Sequence, residues 1–200
     1  MLLPFTAETI TSVSPQQLEQ SLPSEAVSLQ HAKTIFDQLA ALYSTAANKS
    51  HVSPIPTYTI SSLTEENYHQ VEKTLRSFFF PTSQARELIN IPNSSALMYT
   101  PDHTLIAGIL VSPKGYIEYI WVDSLYQGKG LATLLLEQMS RLHPVLSLHV
   151  DPANPALRLY HKFGFKPSKE NGFQPWFYVK YLPLDTSKCR HAFYLEYFSS

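Results

Sequence analysis

Apolar residues recur at helical spacing through Leu29, Ala32, Ile35, Phe36, Leu39, Leu42 and Tyr43. That period predicts an amphipathic helix over residues 24–47, its stripe serving as packing surface rather than as a groove. A shorter helix is expected before it. Ser14 can cap that helix, Pro15 suits its first position, Gln17 completes a capping-box spacing, and Leu22-Pro23 ends it. Residues 48–56 are polar and carry Pro54 and Pro56, which marks a break. The chain therefore divides into a helical extension and linker (1–56), a main domain (57–183) and an aromatic tail (184–200).

The main domain opens with a strand, 57–63, and a helix capped by Thr64 with Tyr68, Val71, Leu75 and Phe78 on one face. Pro81 stops that helix, and a second runs over 83–89. Strands at 95–100, 105–112 and 116–122 follow, joined by Pro101-Asp102-His103 and Pro113-Lys114-Gly115. Turns this short imply an antiparallel meander. An apolar helix, 131–142, then precedes a strand at 145–150. Asn154-Pro155 opens a helix that Gly164 closes at its C-terminus. A last strand is expected at 176–182, and the tail, with Phe193, Tyr194, Tyr197 and Phe198, can add another. The order βααβββαβαβ describes a mixed α/β fold, a largely antiparallel sheet with helices on both faces.

Composition narrows the function. Of 200 residues 44% are hydrophobic, enough for a sizeable core, and the formal net charge of −1 lacks the basic excess of a general nucleic-acid binder. The one cysteine, Cys189, excludes an internal disulfide and a multi-cysteine metal site and fits a reducing compartment. The eight histidines show no metal spacing, so no metal is expected. There is neither a basic, apolar leader nor an uncharged apolar stretch of about 18 residues. The chain reads as a soluble cytoplasmic protein, a monomer or homodimer, without membrane or nucleic-acid partners.

Chemistry concentrates where the strand ending at Val122 runs through Gln127-Gly128-Lys129-Gly130 into a helix. Unpaired amides at a helix start, with the macrodipole, make an anion site. Gly128 and Gly130 allow close backbone approach, and Lys129 can add a charge. The spacing is neither a Rossmann fingerprint nor a P-loop.

Gln127-x-x-Gly130-x-Ala132 resembles the acetyl-CoA pyrophosphate loop of the GNAT superfamily of N-acetyltransferases. The lead-in Val122-Asp123-Ser124-Leu125-Tyr126 is similar to that family's Val-x-Pro-x-Tyr, with Ser124 where proline is common. Residues 150–165, from Val150 through Asn154, Tyr160 and Gly164 to Phe165, resemble its second motif, and the resemblance covers about 57–182. It implies a GNAT-like acyl-CoA N-acyltransferase fold and acetyl-CoA as co-substrate. The backbone of Trp121 and Val122 would pair with the pantetheine arm. Gln127, Gly128, Lys129, Gly130, Leu131, Ala132 and Thr133 would wrap the pyrophosphate. Asn154 would bond the pantetheine, and Tyr160 would protonate the departing thiolate. The spacing from Asn154 to Tyr160 is six residues where many relatives have seven.

Each residue also has a plainer reading. Asn154 can be an N-cap, Tyr160 a core tyrosine and Gln127 an ordinary loop residue. For the general base, Glu118 and His149 are candidates, Glu118 slightly favoured, and either can instead be a hydrogen-bonded strand residue; a water relay is the other route. The aromatic stretch 173–178 suits a core strand better than a pocket floor. The expected activity is transfer of acetyl from acetyl-CoA to an amine of a small molecule or peptide. The alternatives are a non-catalytic acyl-CoA-binding or interaction module on the same fold, and a purely structural domain.

Overall fold

The computed structural model of the chain describes residues 28–47, 57–79, 82–169, 172–176 and 190–199. The helix expected at 14–22, the linker at 48–56, Cys189 and most of the strand expected at 176–182 lie outside those residues. The described elements are α1 (Leu29–Ala47), β1 (Thr59–Ser61), α2 (Glu65–Leu75), α3 (Ser83–Arg86), β2 (Ser95–Tyr99), β3 (Leu105–Val111) and β4 (Ile117–Val122). A 3-10 turn, Ser124–Tyr126, leads to α4 (Leu131–Ser140), β5 (Val145–Val150), α5 (Leu157–Phe163), β6 (Lys166–Pro167), β7 (Phe173–Trp176) and β8 (Arg190–Phe198).

The expected antiparallel meander is present: one sheet has the order β1-β2-β3-β4, and a second the order β5-β8-β6 with β7 paired to β8. The chain divides into two compact units. The meander unit holds β1–β4, α2, α3, α4, β5 up to Leu148, and Glu196 onward; the helical unit holds α1, the segment from His149 through β7, and β8 up to Leu195.

Within the meander unit, α2 begins where Thr64 takes an extended conformation and the Asn67 side chain accepts from the Thr64 amide at 2.8 Å. Tyr68, Val71 and Leu75, three and four residues apart, bury one face of α2 against Leu97, Tyr99, Leu105, Leu110, Tyr119 and Trp121. α3 is shorter than expected because residues 87–90 form turns that end with Asn90 at a φ of 58°, ahead of Pro92.

In the helical unit α1 packs on α5. Phe36, 1% exposed, meets Phe193 edge-on at 5.5 Å and the His161 ring at 5.4 Å. Tyr43 donates to the Pro152 carbonyl at 2.9 Å, and His161 Nε2 lies 3.1 Å from Asp37. The expectation that the stripe of α1 is packing surface therefore holds. β6 was not expected, and β7 lies earlier than the strand expected at 176–182. The tail strand is β8, which buries Phe193 and Leu195.

Candidate functional site

β4 is an outer strand of its sheet. It meets β5 through a single parallel bridge, Tyr116 to Ser147, supported by the Ser147 amide donating to Gly115 O at 3.0 Å. Gly115 makes this approach possible. Its φ is +82°, and a Cβ there would stand 2.0 Å from the Val145 carbonyl oxygen.

The register fixes which backbone groups β4 presents outward. Ala107 pairs with Val122 and Gly108 with Trp121, and the Asp123 amide donates to Ile106 O at 2.8 Å. Antiparallel alternation then makes Ala107–Val122 the non-hydrogen-bonded pair, so Val122 turns its N–H and C=O to the outer edge. Trp121 turns both of its backbone groups to β3. Of the two backbones expected to meet a pantetheine arm, only Val122 faces outward, with Ile120 as its companion two residues back.

The loop after β4 is held by its own side chains. The Asp123 carboxylate accepts from the Leu125 amide at 2.9 Å, and Tyr126 N donates to Asp123 O at 2.9 Å. Gln127 Nε2 donates to Val122 O at 3.1 Å, so this side chain braces the loop instead of projecting from it. Lys129 Nζ sits 5.4 Å over the Tyr126 ring. Gly128 and Gly130 have φ of +75° and +83°, and a Cβ at either would meet nothing within 4 Å. These glycines thus serve backbone conformation and leave the space in front of the helix open. Gly130 is the N-cap of α4 and offers no side-chain oxygen, so the amides of Leu131, Ala132 and Thr133 start the helix without a side-chain cap.

Glu118 sits at an irregularity. Leu110 pairs with Tyr119 but Val111 with Ile117, which leaves Glu118 as the extra residue of a β-bulge. It is half-buried. Strand patterning could not reveal the bulge, because burial alternates through it without a break.

The remaining expected residues belong to the helical unit. His149 is half-buried on β5 with its ring 4.7 Å from Tyr194. The Asn154 side chain accepts from the Ala156 amide at 2.9 Å, and the regular helix starts only at Leu157. The plainer reading of Asn154 as a turn-and-cap residue thus has its hydrogen bond. Tyr160 is 5% exposed on α5, its ring edge-on to Phe165 at 5.6 Å. Gly164 closes the helix in the left-handed conformation, with φ of 105°. Among the described residues no group of three His, Cys, Asp or Glu side chains could hold a metal ion. No described helix is long and apolar enough to cross a membrane.

Sequence reasoning missed two polar groups on the α2 face of the meander. Trp121 Nε1 and the Tyr99 hydroxyl are buried with no hydrogen-bond partner. Burial pushes the Tyr99 phenol up, against a smaller opposing effect of the Ser61 hydroxyl. Tyr119, beside them, donates to Gln84 Oε1 at 2.8 Å.

The GNAT acetyltransferase family model matches residues 64–165, and the chain belongs to that family. It is 29% identical over 132 residues to the human Cysteine-rich protein 2-binding protein; the match takes in 63% of this chain and 16% of that protein's length. The mouse protein of the same name is also 29% identical, with 17% of its length matched. Among solved structures, Arabidopsis thaliana Naa50 in complex with a CoA-Ac-MVNAL bisubstrate analogue superposes with a TM-score of 0.55 at 21% identity, covering 70% of this chain and 97% of that one. The ribosomal-protein-S18-alanine N-acetyltransferase of Escherichia coli gives 0.58 at 20% identity, covering 72% and 95%. These likenesses establish the GNAT fold.

Proposed function

We propose that this chain binds acetyl-CoA and transfers its acetyl group to an amine of a small molecule or peptide, by direct attack in a ternary complex in the cytoplasm. The observation that carries the reading is the outward N–H of Val122 beside the uncapped start of α4. The amides of Leu131, Ala132 and Thr133 would hold the pyrophosphate, with the φ-positive glycines keeping the approach clear. Gln127 would act through the loop it braces. The outer edge of β4 would pair with the pantetheine arm, and the Val122 amide would hydrogen-bond the thioester oxygen as charge develops on it.

The amine nitrogen attacks the thioester carbonyl carbon and forms a C–N bond. The tetrahedral intermediate then expels the CoA sulfur as the C–S bond breaks. The proton lost from nitrogen goes to Glu118 or His149, directly or through water, and Tyr160 protonates the thiolate. Asn154 would hydrogen-bond the pantetheine. The solved relatives carry a CoA-peptide bisubstrate analogue in one case and are named for N-acetylation of a ribosomal protein in another.

A second reading, a module that binds acyl-CoA or a protein without turnover, draws on the human relative's name as a binding protein. Acetyl-CoA titration followed by turnover with a panel of amines separates them. The expected result is thermal stabilisation by acetyl-CoA, about 2.7 kcal/mol at a hundredfold excess over Kd, together with release of free CoA. Stabilisation without CoA release in any amine would establish the second reading, and no stabilisation would overturn both.

A further inference from the structure

We propose that Tyr43 of α1 is a positioning residue of the acetyl-CoA site: its hydroxyl pins the central peptide of the turn 151–154 and so sets the side chain of Asn154 toward the pantetheine arm. This rests on the proposed function, in which Asn154 bonds that arm. It brings into the site a helix that lies ahead of residues 64–165, the span that the family model matches.

The Asn154 amide donates to Asp151 O at 2.9 Å, which closes a turn over Asp151, Pro152, Ala153 and Asn154. Proline suits the second place of such a turn. The peptide between the second and third residues is the one whose flip converts one turn type into another. Here both ends of that peptide are held. Its carbonyl, Pro152 O, accepts from the Tyr43 hydroxyl at 2.9 Å, and its N–H, on Ala153, donates to Asp151 Oδ1 at 2.8 Å. The second bond is local, an aspartate capping the backbone two residues on. The first comes from 109 residues away in sequence.

α1 presents Tyr43 from a fixed face. Phe36, seven residues earlier and so two helical turns back on that face, is buried against Phe193 and the His161 ring. Burial, and then the charge of Asp151, push the Tyr43 phenol up, which keeps it a donor. Packing of the helix would be served by a phenylalanine at this position; the hydroxyl adds only its bond to the turn.

The pinned turn leads into Asn154 with that residue's own groups engaged. Beyond its amide, its carbonyl accepts from Leu157 N at 3.0 Å and its side-chain oxygen from Ala156 N at 2.9 Å. With the oxygen so used, the side chain meets a ligand through its NH2, which only donates. Amide carbonyls of the pantetheine arm suit such a donor. A flip of the Pro152–Ala153 peptide would turn Asn154 away without unfolding anything else, and the Tyr43 bond opposes that flip.

Tyr43→Phe keeps the ring and removes the donor. The test titrates the wild type, Tyr43→Phe, Asn154→Ala and the double variant with acetyl-CoA and with ADP, which has a pyrophosphate and lacks the pantetheine arm, and records Tm for each. Tyr43→Phe is expected to weaken acetyl-CoA about three- to tenfold, the worth of one hydrogen bond, and to leave ADP unchanged. Asn154→Ala should also weaken acetyl-CoA, and adding Tyr43→Phe to it should weaken it no further. A merely structural tyrosine would lower Tm and weaken both ligands alike. That result, no loss in Tyr43→Phe, no loss in Asn154→Ala, or losses that multiply in the double variant would overturn the Tyr43 assignment alone. If Tyr43→Phe does not fold, Asp151→Ala releases the other end of the same peptide and makes the same comparison. A wild type that does not bind acetyl-CoA would overturn the function on which the assignment rests.

Discussion

Gly130 adopts a φ that side chains with a branched Cβ rarely take, and the space around it is open. Conformation and not crowding is therefore the constraint in the unliganded chain. Gly130→Val combines backbone strain with bulk in the phosphate approach, and acetyl-CoA affinity is expected to fall at least tenfold, about 1.4 kcal/mol. Gly130→Asn, which tolerates the left-handed region, should lose much less; calorimetric titration of both variants checks this. Tyr160→Phe is expected to lower kcat by about 10²–10⁴ if the hydroxyl donates the proton, with acetyl-CoA affinity little changed. Steady-state kinetics beside a melting curve decides it, since a matching fall in Tm with unchanged kcat marks a core tyrosine instead. Gln127 shows what sequence cannot give. Its place in the loop was legible from spacing, but its bond back to Val122 O depends on the turn made by Asp123 and Tyr126, which no periodicity encodes.

Among the elements, those with strong periodic patterns were the legible ones. β5 matches its expected bounds, and α2 and β2–β4 begin and end within a residue or two of theirs, apart from the weak last turn of α2. α5 was read two residues early, because Asn154-Pro155 forms a turn whose hydrogen bond to Ala156 precedes the helix. The β2–β3 turn carries a charge effect of its own. Hydrogen bonds from Thr100 and then Thr104 hold the Asp102 carboxyl below its ordinary value of 3.8. A lowered pKa means that the turn's contribution is present above that value and is lost as pH falls below it. Urea midpoints between pH 5 and pH 2 should therefore drop less steeply in Asp102→Asn. Phe36, buried between α5 and β8, makes α1 part of a core. Phe36→Ala is expected to destabilise the helical unit by about 3–5 kcal/mol, read as protease sensitivity within α1.

At the scale of the molecule, composition excluded more than it identified. A net charge of −1 and the backbone character of the proposed anion site both argue against steering by charge. Acetyl-CoA affinity should accordingly change by less than about threefold between 50 and 500 mM salt, a titration that would expose an unrecognised basic cluster if it failed. The division into two units was not legible from the order of elements. β5 and β8 each pass from one unit to the other within a single strand, and a strand's pattern carries no mark of where its neighbours change. The family resemblance located the catalytic candidates by position, but not which backbone face of β4 is presented. That follows from parity counted across the β3–β4 ladder.

The bulge at Glu118 gives β4 one residue more than its partner needs. A chain with Glu118 deleted would place Ile117 and Tyr119 side by side opposite Val111 and Leu110, a regular ladder. Ile120, Trp121 and Val122 would keep their partners and their orientation. Loss of Ile120 is absorbed by the same bulge, which keeps Val122 opposite Ala107 but sets Glu118 opposite Leu110, in the buried place of Tyr119. The two single-residue deletions, two positions apart, are thus expected to differ in stability, the second melting well below the first. Acetyl-CoA should still bind the first. If Glu118 is the base, the first will bind the cofactor and leave the amine protonated, so that binding and turnover come apart in a molecule of 199 residues. Tolerance of length change along this strand is a map of where its spare residue lies.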